Sequence, residues 1–185
     1  MKKLIFLAMI LQSCLVSNPE NNLNLVLDSV EHESEGTFGG MSFSDSLINI
    51  KFTLSYQSLG FTLQNKTNKS LKIIWDESAY INEKGESKRV IHEGVKLIDR
   101  SQSQPSTTVI RGSVISDSVV PSDNIHYMSG QYGGWQTRPL FDTFAFGTLE
   151  QQKKLANIRG KQISLMIPIA YEGRTREYLF TFNIK

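Results

Sequence analysis

Three histidines are the residues whose type most readily suggests metal binding or proton transfer. His32-Glu33 and His92-Glu93 repeat a His-Glu pair, and His126 could complete a set. Their spacing does not support it. No two lie within one helical turn or a short loop, and no His-Glu-x-x-His is present, so they read as solvated or hydrogen-bonded side chains. For nucleophilic chemistry, the strained Gly-x-Ser-x-Gly elbow is missing. Gly130-Gln131-Tyr132-Gly133-Gly134 lacks the Lys-Ser or Lys-Thr that a phosphate-cradling loop requires. Asp76 and Glu77 fall on opposite faces of a predicted strand, where they could not share a proton or a sugar. The sequence therefore reads as a non-enzyme without catalytic residues, metal or cofactor. The alternative is a hydrolase or metal-dependent enzyme whose residues converge only in the fold.

One stretch has the composition of a recognition surface. From Tyr127 to Phe141 it interleaves aromatic side chains with Gly130, Gly133 and Gly134, and Arg138 adds a planar fork of donors. Tyr, Trp and Arg concentrate binding energy at interfaces, and β domains carry function on their loops. Tyr127, Tyr132, Trp135 and Arg138 are the candidate binding residues, with loop 98–107 as a second segment. The competing reading is structural: Tyr132 and Trp135 fold back over one end of the domain, and the glycines only let the chain turn.

Cys14 is the single cysteine, so no internal disulfide can form. It follows a basic Met1-Lys2-Lys3 and an apolar run, Leu4 to Leu11, that is too short to span a bilayer and has the form of an export signal. Leu11-Gln12-Ser13-Cys14 resembles the lipobox of bacterial lipoprotein precursors. That resemblance implies cleavage before Cys14, acylation of its thiol and amine by chains such as palmitate, and attachment to a bacterial membrane. Leu15, where an Asp would resemble an inner-membrane retention signal, favours the outer membrane in a host that has one. Losing Lys2 and Lys3 takes Lys plus Arg from 20 to 18 against 18 Asp plus Glu, so the mature chain carries no net charge and lacks the footprint of a nucleic-acid binder.

The elements that must position these residues are strands. Leu23, Leu25 and Leu27 alternate with polar residues, as do Ile48, Ile50, Phe52, Leu54 and Tyr56. Phe61 and Leu63 open a third strand, which the polar Asn65 to Ser70 is expected to turn as a hairpin into a fourth. That fourth strand is read with Leu71, Ile73, Trp75, Ala79 and Ile81 on its inner face and Trp75 filling the core. Arg89 to Leu97 is its expected return strand. Thr108 to Ile115 and Val119 to Pro121 follow as separate segments. Thr148-Leu149-Glu150-Gln151 has capping-box chemistry and predicts one helix over 148–158, ending near Gly160. Ile163, Leu165, Ile167 and Ile169 face inward on one closing strand, and Tyr178, Phe180, Phe182 and Ile184 on the other.

Seven to nine short antiparallel strands without a βαβ unit predict an all-β, immunoglobulin-like β-sandwich with one short helix near the C-terminus. Phe61-Thr62-Leu63-Gln64-Asn65 ahead of Lys72-Ile73-Ile74-Trp75 resembles a loose group of bacterial lipoproteins with such domains. The expected organisation is a signal peptide at 1–13, a lipidated tether at 14–22 and the β domain at 23–185. The expected role is a membrane-anchored binding or accessory module for an envelope protein or a small ligand, with a purely structural envelope lipoprotein as a further alternative. The Asn65-Lys66-Thr67 and Asn68-Lys69-Ser70 sequons would matter only on a eukaryotic secretory route.

Overall fold

A computed structural model describes residues 23–32, 36–143 and 148–185. The signal peptide, Cys14 and the tether lie outside the described residues, as do Glu33 and the side chain of Thr148, on which the capping box depends. The chain is mostly antiparallel β with one α-helix. Its strands are β1 Leu25–Glu31, β2 Thr37–Gly39, β3 Ser42–Ser44, β4 Ile48–Leu54, β5 Leu59–Asn65, β6 Leu71–Ile73 and β7 Ala79–Ile81. They continue as β8 Ser87–His92, β9 Thr107–Val109, β10 Val114–Pro121, β11 Ile125–Met128, β12 Gly134–Thr137, β13 Gln162–Tyr171 and β14 Arg174–Ile184. The helix, α1, is Thr148–Ile158, as its sequence pattern predicts, and Gly160 at φ 79° follows it.

Twelve strands form one sheet whose main path runs β1-β14-β13-β7-β8-β10-β5-β4-β3-β2. The sheet curls because β8 changes partners midway. Ser87 to Arg89 pair with β7, and Val90 to His92 pair with β10. The two halves of the path then face each other. Phe52 of β4 meets Phe180 and Phe182 of β14 edge-on, with ring centroids 4.8 and 5.0 Å apart, and Phe43 of β3 meets Phe180 at 5.8 Å. Such aromatic contacts between facing layers fill the core with large side chains in a fixed geometry. The result is nearly a barrel, with Leu155 and Ile158 of α1 buried against it.

The closing hairpin follows the sequence pattern throughout. Ile163, Leu165, Ile167 and Ile169 are buried on β13, and Tyr178, Phe180, Phe182 and Ile184 on β14. Its two-residue turn places Glu172 at φ 53° and Gly173 at φ 77°, the left-handed pair that matches strand twist.

Four local expectations are corrected. The Asn65 to Ser70 segment is not a hairpin: β5 pairs with β4 and β10, whereas β6 pairs with β13 and β9. Asn65 is fully buried and shapes this crossing. Its amide donates to the Lys69 and Val109 carbonyls, and its oxygen accepts from the Thr67 amide and hydroxyl. The same bonds occupy the amide a glycan would need. Secondly, the long strand through Trp75 is interrupted by a 3-10 helix, Trp75–Glu77, which inverts the side-chain phase: Tyr80 is buried on β7 in place of Ala79 and Ile81. Trp75 still fills the core, its indole N–H donating to the Thr107 hydroxyl at 2.7 Å. Thirdly, the return strand stops at His92, and Leu97–Asp99 is a 3-10 helix. Fourthly, the break falls inside the stretch read as Thr108 to Ile115, where Gly112 at φ 68° ends β9, and β10 runs unbroken through Pro121.

Asp45 is a buried carboxylate that ties the β3–β4 turn to β14. It accepts from the Leu47 and Ile48 amides, each at 2.8 Å, and from the Tyr178 hydroxyl at 2.8 Å. Burial first, and the nearby Asp45 second, push the Tyr178 phenol well above its ordinary range, so it stays protonated as the donor. Tyr178→Phe should lower stability by about 1–2 kcal/mol in urea unfolding, and Asp45→Ala by about 3 kcal/mol because three donors lose their acceptor. Equal loss in the two variants would contradict this assignment.

Candidate functional site

The segment singled out for its aromatic and glycine content folds as a separate two-stranded sheet, β11 with β12. Tyr127 and Trp135 are directly opposite one another, with rings edge-to-face and centroids 5.6 Å apart. Glycine is required at the turn. Gly130 and Gly134 have φ of 125° and 145°, and a Cβ on Gly133 would lie 2.2 Å from the Met128 carbonyl oxygen. Tyr132, at the tip, is 90% exposed, so it does not fold back over the domain; Tyr127 is 62% and Met128 45% exposed. Trp135 is half-buried.

The root of this hairpin is tied to the main sheet through its backbone. The Arg138 amide donates to the Asn124 carbonyl at 2.8 Å, and the Leu140 amide to the Tyr56 carbonyl at 2.8 Å. The side chains of Gln57 and Asn124 donate to the Thr137 and Pro139 carbonyls. Arg138 itself points elsewhere. It lines a polar cleft of about 510 Å³ with Tyr80, Lys84, Lys88, Asp123 and Asp142. Lys88 is paired with Asp123 at 2.9 Å. The four predicted residues thus divide into an exposed aromatic hairpin carrying three of them and a charged cleft carrying Arg138.

Loop 98–107 belongs to the same surface. Arg100 stacks its guanidinium on Trp135, 4.4 Å from the ring centroid, and Ile98 beside it is 62% exposed. Sequence reasoning had no signal for this contact, since residues 100 and 135 share no motif. The loop is clamped from below. Arg89 donates to the carbonyls of Arg100 and Gln102 and to Asp76 at 2.8 Å, while Asp76 also accepts from the Ser103 hydroxyl and, at 2.9 Å, from the Gln104 amide. Asp76 and Glu77 therefore sit on a 3-10 turn and not on the two faces of a strand, and Asp76 is a loop anchor.

The histidines occupy three different environments. His32 stacks on Tyr178, with centroids 5.3 Å apart, and meets Phe43 edge-on. His126 lies on β11 with a buried Nδ1 that has no hydrogen-bond partner. His92 lies flat on Trp75, with planes 6° apart and centroids 4.4 Å apart, and its Nδ1 is 3.1 Å from an Asp117 oxygen. Burial pushes the Asp117 carboxyl up, opposed by the Ser118 and Glu93 amides and by His92. This pair has the base-and-orienter geometry of acid–base sites, but the outward Nε2 is sealed from solvent and lacks a hydrogen-bond partner. Among the described residues no group of three or more His, Cys, Asp or Glu side chains is placed to hold a metal ion. No helix among them is long and apolar enough to cross a membrane.

Compared with protein-family models, with curated proteins and with solved structures, the chain matches none.

The Ser103 hydroxyl above all, then the Gln104 amide and Arg89, hold the Asp76 carboxyl below its ordinary value of 3.8. A carboxyl with a lowered folded-state pKa adds stability above its unfolded pKa and loses it as pH falls through the folded value. Asp76→Asn should therefore loosen loop 98–107, seen as faster amide exchange, at neutral pH, with the difference from wild type vanishing in strong acid. A difference that persists undiminished at about pH 2 would contradict the role of the charge.

Proposed function

We propose that this chain is the precursor of a lipid-anchored bacterial envelope protein, whose β domain is a non-catalytic binding module for a partner protein or small ligand. The observation that carries the binding role is a hairpin standing apart from the main sheet, with Tyr127, Met128 and Tyr132 exposed and Arg100 stacked behind Trp135. Exposed aromatics on a glycine turn gain contact area at small entropic cost when a partner covers them. The anchor rests on Leu11-Gln12-Ser13-Cys14 behind a basic and apolar leader, with Leu15 favouring the outer membrane.

We further propose that the β domain is an immunoglobulin-like sandwich. Its support is β8, which serves one layer with its first half and the other with its second, and the Phe52 contacts to Phe180 and Phe182 between facing strands.

Intact mass of protein extracted from membranes tests the anchor. The expected species begins at Cys14 and carries acyl chains, and a Cys14→Ala variant yields none of it. A full-length or cleaved but unacylated wild-type chain would sink the lipoprotein reading. For the binding surface, replacing Tyr127 and Tyr132 together with Ala should leave thermal stability within about 1 kcal/mol while abolishing capture of the native partner from crosslinked envelopes.

A further inference from the structure

The wall of the curled sheet has a gap between β1 and β4. Asn24 exchanges both backbone hydrogen bonds with Lys185, at 3.0 and 2.8 Å. Alternation along an antiparallel ladder then turns the N–H and C=O of Leu25 away from β14. On the other side, the Ser55 amide donates to the Ser58 carbonyl at 3.0 Å to close the β4–β5 turn, and Phe52 donates away from β5, to the Met41 carbonyl at 2.7 Å. The same alternation turns the N–H and C=O of Leu54 outward as well.

The tip of the β2–β3 hairpin bridges the gap one step along. The Gly40 carbonyl accepts from Leu27 at 2.7 Å, and the Met41 carbonyl takes Phe52. Beyond that bridge the outward backbone groups of Leu25 and Leu54 have no partner among the described residues. Between them lies a cleft of about 390 Å³, with Leu23, Leu25, Met41, Phe52, Leu54 and Phe141 in its lining and no Asp, Glu, Lys or Arg there.

We propose that this slot binds an extended, uncharged peptide segment of a partner protein as an added strand. Unpaired backbone donors and acceptors of one residue on each edge call for another backbone, and a lining that mixes leucines and phenylalanines with Asn24, Thr53, Ser55 and Tyr56 calls for uncharged side chains of mixed polarity between them. Successive antiparallel pairings leave β1 and β4 running in opposite directions, so the added strand is antiparallel to one edge and parallel to the other. Neither acylation of Cys14 nor the β11–β12 hairpin is needed for this, so its failure and theirs are separable.

The test is an NMR titration of the isotope-labelled full chain with a capped hexapeptide of alternating valine and threonine. A second copy of that peptide, N-methylated at alternate residues, serves as the control. The expected result is that the Leu25 and Leu54 amide signals move with the first peptide, and that N-methylation weakens binding about fivefold or more, as loss of a backbone bond requires. Leu54→Pro, which removes an N–H facing the slot, should weaken binding similarly. Thr53→Glu, which brings a charge to the lining, should weaken binding of the uncharged peptide, and unchanged binding would count against the slot. Where Leu54→Pro fails to fold, the methylated peptide still decides. No signal change at about 1 mM peptide, equal binding of both peptides, or changes centred on Tyr127 and Trp135 would overturn the proposal. So would a dimer formed through Leu25 and Leu54, which would make a second copy the occupant.

Discussion

A sheet that curls on itself must settle the hydrogen bonds of its two edges, and much of this domain is arranged by how far that settlement goes. The path from β1 to β2 brings the edges to within one hairpin of each other. The Gly40–Met41 tip then joins them through the Leu27 and Phe52 amides. Unpaired edges invite other chains, and closure removes that hazard. Here closure is complete at the level of Leu27 and incomplete at the level of Leu25, beside the anchored root of the β11–β12 hairpin at Tyr56 and Leu140. The open end of the sheet and its exposed aromatic arm are therefore neighbours.

Curling also brings polar groups inward, and several of them are held by bonds that reach across the fold. Asp45 gathers Leu47, Ile48 and Tyr178 where β3 passes to β4, and Asn65 ties the β5 exit to Lys69 and Val109. At the β8 corner, Trp75 lies against His92, and Asp117 ties that imidazole to the start of the next loop through the Glu93 amide. A buried carboxylate with several donors is strongly stabilising only while all of them are present, which makes these sites rigid points in the scaffold. The recognition loops hang from such points: Asp76 and Arg89 hold residues 100 to 104 under Trp135.

The parts of the fold legible in the sequence were those governed by period-two burial. β13 and β14 bury the residues their alternation marks, β4 does so at Ile48, Ile50 and Phe52 while Leu54 is half-buried and Tyr56, beyond its end, is exposed, and α1 spans its predicted range. Pairing was not legible, because register and partner are set by contacts distant in sequence. The polar run after Asn65 carries turn chemistry, yet it connects strands that never pair. Nor does alternation register a 3-10 turn, so Trp75–Glu77 inverted the faces of what followed. The candidate site was half visible. Composition identified Tyr127, Tyr132 and Trp135, whereas the Arg100 contact, the placement of Arg138 in a cleft with Tyr80 and the gap at Leu25 and Leu54 arise only from tertiary geometry.

Amide hydrogen exchange at single-residue resolution tests the central claim, a nearly closed sheet with one open seam, most directly. Slow exchange is expected at Val26 and Thr53, whose amides face paired neighbours, and fast exchange at Leu25 and Leu54, whose amides face the seam, although Leu25 is buried as a residue. Equal protection at all four positions would mean that the seam is hydrogen-bonded shut and that the domain is a fully closed barrel.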